Sequence, residues 1–80
     1  MIRATVIEVS HDESTKGRGE FDFLQLPAPG DRFVIPSVSG GIEIMRSLYV
    51  EHHPVQFPAF RDARQDATAA VFAECIGEES

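Results

Sequence analysis

Few residues of this 80-residue chain could do chemistry, and most of them fall in two short clusters. Glu51-His52-His53 and His11-Asp12-Glu13 hold all 3 histidines, each cluster with its own carboxylates. Imidazole and carboxylate together suit zinc or nickel. In an extended chain adjacent side chains point to opposite faces, so His52 and His53 would not grip one ion together, whereas Glu51 and His53 share a face. Two ligands fall short of a tetrahedral site. A metal centre therefore requires His11 and Asp12 to fold back onto Glu51 and His53. The plainer alternative is an exposed strand end carrying ordinary histidines. No motif calls for a cofactor.

Other reactive types give less. Cys75 is the only cysteine and lies in an apolar run, ATAAVFAECI, where a thiol is usually inert packing. Pairing with His52 or His53 would be needed to activate it. The glycines of KGRGE, Gly17 and Gly19, bracket Arg18 but lack the strand-before and helix-after setting of a phosphate loop. Glu8, Glu43 and Glu51 could meet across strands as a carboxylate pair, though a solvated face accounts for them equally.

A surface offers more than a pocket. Within residues 42–54, IEIMRSLYVEHHP, Ile42, Ile44, Leu48 and Val50 fall on one parity, and Glu43, Ser47, Tyr49, Glu51 and His53 fall on the other. Pleated with period two, this stretch has an oily flank and a wet one, and it is expected to be the central strand of a small sheet. Met45, Tyr49, Glu51 and His53 on the wet flank are the candidate protein-binding residues, because Met and Tyr suit interfaces. Alternatively a neighbouring loop, residues 56–60, covers Met45 and Tyr49 as a second small core. Arg46 is the misfit on the oily flank. Either the strand bulges between Met45 and Ser47, or the guanidinium reaches an acidic partner.

The elements that must position these residues follow from composition. Residues 1–9 are rich in β-branched side chains and read as a first strand, burying both faces or changing sides at a bulge near Glu8. Residues 10–20 contain no apolar side chain and read as a long mobile polar loop. Residues 21–26, FDFLQL, form a short strand ended by Pro27 and Pro29. Residues 32–35 form a third strand, paired antiparallel with the long one around a turn at Gly40-Gly41. A single helical turn fits residues 59–64. For residues 67–76 alanine content favours helix, but a helix gives no single apolar stripe, and a fifth strand lets a barrel close. Residues 1–77 therefore form one mainly β domain, with residues 78–80 a frayed tail.

This layout, with LPAPGDRFVI at residues 26–35 as its corner, resembles a small five-stranded barrel of the Src-homology-three type. The resemblance implies an architecture and a subunit or accessory module that docks on a larger protein. The aromatic platforms of the proline-binding members are missing, since Tyr49 is the only tyrosine and there is no tryptophan.

Composition narrows the partners. Thirteen acidic against seven basic residues, a formal net charge of −6, disfavour nucleic acid. No apolar run reaches the ~18 residues of a membrane span. A single cysteine cannot staple a secreted scaffold, and the N-terminal residues read straight into a strand, so the cytosol is the expected compartment. The expectation is a small non-enzymatic binding module for another protein. The alternatives are a metal-binding protein using His11, Asp12, Glu51 and His53, or a homo-oligomeric structural unit.

Overall fold

The computed structural model describes residues 1–54 and 68–79. They form five strands: β1 (Ile2–Val9), β2 (Thr15–Phe23), β3 (Arg32–Pro36), β4 (Ile42–His52) and β5 (Ala69–Glu79). All five lie in one sheet of order β2-β1-β5-β4-β3, antiparallel throughout except for the parallel neighbours β1 and β5. Read from β3, the order is a meander whose last strand returns beside the first. The domain is mainly β, as its composition implies.

The sheet curls but does not close. In a flat sheet the edge strands β2 and β3 would lie about 19 Å apart, four strand spacings. Here Phe23 of β2 meets Phe33 of β3 edge to face, with ring centroids 5.6 Å apart. Among the described residues the two edges touch through side chains only and share no ladder. Alanine explains how so tight a curl is filled. Ala4, Ala69 and Ala73 line the concave side with Val6, Val71, Met45 and Ile35, all buried. The same alanines that favour a helix by propensity are here the small residues a narrow interior admits, and tertiary context decides. Burying Met45, Val6 and Val71 stabilises by roughly 2 kcal/mol each, so the apolar core alone is thin.

Turn chemistry sets the corners. Pro29 and Gly30 occupy the centre of a turn closed by Asp31 N–H donating to the Ala28 carbonyl at 2.9 Å, and Gly30 takes φ +93°. That is the type II geometry, with proline first and glycine second. Ser47 then fixes this corner to β4, its carbonyl accepting from Gly30 N–H at 2.7 Å and its N–H donating to Asp31 at 2.8 Å. At the β3–β4 turn Gly40 has φ +105°, and Ser37 N–H donates to the Gly41 carbonyl, giving the expected hairpin.

Several expectations are corrected. The long polar loop over residues 10–20 is in fact a tight turn at residues 10–14 followed by β2, which pairs with β1 along its length. Polarity misled because β2 is an edge strand, and an edge can be charged and still hydrogen-bonded. The strand expected at residues 21–26 ends at Phe23, leaving Leu24 exposed. Glu78 and Glu79 are not frayed: they pair with Glu43 and Ile42. The helical turn proposed at residues 59–64 lies outside the described residues.

The largest correction concerns β4, whose first half is turned over. Glu43, Met45 and Ser47 point inward and are buried, while Ile42 and Arg46 are exposed. Two bulges lie in this ladder, and only the one on β4 changes its parity. Ile76 is the extra residue on β5 between Ile44 and Met45, and Leu48 is the extra residue on β4 between Ser47 and Tyr49. The second bulge returns Val50 to the core and puts Tyr49 outside. Arg46 is no misfit on the outer face: its guanidinium donates to Glu74 Oε2 at 2.7 and 2.9 Å.

Candidate functional site

The register of β4 and β5 separates the residues singled out for chemistry. His52 pairs with Ala69, whereas Cys75 pairs with Met45. Six positions of β5, on the order of 20 Å, thus lie between the thiol and His52, which is too far to act as its base. Burial pushes the Cys75 thiol up, reinforced by the nearby Glu43 and Glu8 carboxylates, and Sγ donates weakly to the Gly77 carbonyl. This is the setting of a packing cysteine rather than a nucleophile.

The metal-type residues divide in the same way. Glu51 and His53 do meet, with Nε2 2.8 Å from Oε1, on an exposed strand end. Asp12 is engaged in its own turn, accepting from Ser14 N–H at 3.0 Å and Ser14 Oγ–H at 2.7 Å. His11 lines an open cavity of about 380 Å³ with Glu8, Leu48, Glu74 and Cys75. Among the described residues no three His, Cys, Asp or Glu side chains are grouped to hold an ion, so His11 and Asp12 do not join Glu51 and His53.

Of the candidate binding residues, Met45 is removed outright: it is fully buried in the core against Ile35 and Ala73. Tyr49 stands on the convex face, half exposed, stacked on Phe72 with centroids 4.6 Å apart and planes 13° from parallel. Phe72 lies between Tyr49 and Ile7 in register. Two ion pairs, Arg46–Glu74 and Glu51–His53, flank this aromatic centre along the strands. The face therefore has an apolar middle and a polar rim.

The chemically least ordinary site is one that sequence reading missed. Arg18 is the extra residue of a bulge on β2, opposite Val6 and Ile7. Gly19, with φ +108°, supplies the left-handed conformation that such bulges use. The bulge carries the guanidinium under the curled sheet, where only 6% of the side chain is exposed. There Nη1 donates to Glu8 Oε1 at 2.6 Å and to Glu43 Oε1 at 3.0 Å, and Nη2 donates to Glu43 Oε2 at 2.5 Å. Hydrogen bonds from Arg18 hold the Glu43 carboxyl below the usual carboxylate range, outweighing burial. Glu43 and Glu8 in turn raise the Arg18 pKa further. Glu8 and Glu43 thus converge as considered, but around a cation, and Glu51 stays at the far end of β4. The signal was present in Gly17-Arg18-Gly19, read as a loop. KGRGE is strand and bulge, with no helix to receive a phosphate.

A second feature is the seam between the two sheet edges. An open groove of about 470 Å³ is lined by Phe21, Phe23, Leu24, Phe33, Val34 and Ile35. It continues past Phe23 and Phe33 into another of about 420 Å³ running to Pro27 and Arg32.

No helix among the described residues is long and apolar enough to cross a membrane. No family model, no curated protein and no solved structure matches the chain.

Proposed function

We propose that this chain is a non-enzymatic accessory module that docks on another protein through the convex face of its sheet. The observation that carries the reading is the Tyr49–Phe72 stack, a rigid aromatic pair left half open to solvent on the outer face. Aromatic side chains of this kind bring large contact area at low entropic cost and dominate binding energy where they are framed by polar residues. Glu51 and His53 supply part of that frame, so three of the four candidate residues, Tyr49, Glu51 and His53, remain in the reading and Phe72 replaces Met45. The occupant is a folded protein surface that lays an apolar side chain over the Tyr49 ring. A single curled sheet of five strands supports the comparison with Src-homology-three-type barrels, and with it the docking role that the comparison implies.

The test is photocrosslinking. A benzoylphenylalanine at position 49, expressed in the cells that make this protein, is expected to give one discrete adduct, while the same probe at the exposed Lys16 gives none. Tyr49→Ser should abolish co-purification of that partner with the fold intact. Equal adducts from both positions, or full retention of the partner by Tyr49→Ser, refute the reading.

A further inference from the structure

The seam between β2 and β3 is independent of the convex face, and its backbone says more than its side chains. In an antiparallel ladder, residues alternate between pairs that bond to the partner strand and pairs whose N–H and C=O point away. Ser37 N–H bonds to Gly41, and Ser47 N–H bonds to Asp31, so odd-numbered residues of β3 face β4. Arg32, Val34 and Pro36 therefore turn their backbone groups outward. Pro36, which has no N–H, sits where none is needed. On the other side, the Arg3 carbonyl accepts from Thr68 and so faces β5, which makes Arg3–Asp22 and Thr5–Glu20 pairs that do not bond across β1 and β2. Glu20 and Asp22 then present their backbone groups at the free edge of β2.

Two ladders that are unpaired among the described residues thus border one apolar floor made by Phe21, Phe23 and Phe33. The edge side chains are charged in opposite senses. Glu20 on β2 and Arg32 on β3 are both exposed and make no ion pair among the described residues, whereas Asp22 is already held by Arg3 at 3.0 Å. Arg32 even faces another arginine, Arg46, in register.

We propose that the seam receives an extended segment of a partner protein as an added strand. Its alternate residues are apolar and rest on Phe23 and Phe33, and a lysine or arginine on its outward side pairs with Glu20. Main-chain bonds to the two edges give the affinity, and the alternation with one basic residue gives the selectivity. Because β2 and β3 run in opposite directions, a strand between them is antiparallel to one edge and parallel to the other.

The probe is a blocked pentapeptide, acetyl-Lys-Val-Thr-Val-Ser-amide, titrated into the isotopically labelled full chain with amide shifts as the readout. Shifts are expected at Glu20, Asp22, Leu24, Arg32 and Val34, and a peptide with proline for threonine should leave them still. Glu20→Arg should weaken binding at least fivefold. Val34→Pro, which removes an outward N–H from an edge without touching the β3–β4 ladder, should weaken it as much. If Val34→Pro fails to fold, Glu20→Arg and the proline peptide decide alone. Shifts centred on Tyr49 and Phe72, or none, overturn the proposal. So do seam shifts that follow the protein's own concentration without peptide, which would make a second copy the occupant.

Discussion

Removing Arg18 should cost this small domain a large share of its stability, and in a pH-dependent way. Arg18→Ala leaves Glu43, whose side chain is 9% exposed, without the cation that compensates its burial. It also leaves Glu8 and Glu43 facing one another where a single nitrogen had bridged them. Breaking a buried pair from one side costs about 3–5 kcal/mol, because the stranded charge keeps its desolvation penalty. An 80-residue domain has about 4–12 kcal/mol in all, so the loss is about a quarter or more. The sign with pH follows from the carboxyl. In the wild type Glu43 is held low, so its contribution is complete above its unfolded value near 4.5 and is lost as pH falls through its folded value. In the variant burial and the neighbouring Glu8 push Glu43 upward, and the fold takes up that proton before the unfolded chain does. The gap between the two proteins therefore narrows from pH 7 towards pH 4. Urea unfolding at both pH values measures it. A gap under 1 kcal/mol at pH 7, or one that stays constant down to pH 4, would refute the latch reasoning. Arg18→Lys keeps the charge but loses the fork, and should fall between the two.

Two further substitutions probe single features. Ser47 is 1% exposed and its hydroxyl has no partner among the described residues, so Ser47→Ala should raise stability by about 1 kcal/mol, read as a higher urea midpoint at unchanged slope. Glu13 holds φ +67° in the β1–β2 turn, so Glu13→Gly should stabilise by about 0.5 kcal/mol in the same assay, relief of left-handed strain outweighing the added freedom of the unfolded chain.

Much of the fold was legible because its punctuation is local. Pro29-Gly30 and Gly40-Gly41 mark corners by the φ angles they permit, and β-branched residues mark β1. The inward face of β4 was not legible from alternation, since the Leu48 bulge changes its parity and has no sequence signature. Arg46 is the one warning: a charge on the expected inner flank means that the flank is outer. Glu43 was read as solvated because its partner lies 25 positions away on another strand, a distance no local pattern spans. The Glu51–His53 contact was legible from spacing, and its isolation from His11 was not. Tyr49 was found on the correct face by a parity argument that fails for Met45, four residues earlier on the other side of the Leu48 bulge.

The parallel pairing of β1 with β5 has a consequence for how the chain is made. Ala4 meets Ala69 and Glu8 meets Ala73, so the middle of the sheet joins segments far apart along the chain. Until β5 has been made, the first hairpin must wait with one flank unclaimed, and closing so long a loop makes assembly slow. The charged outer edge of β2 is then the waiting hairpin's protection against sticking to its neighbours, a service rendered before the finished molecule exists.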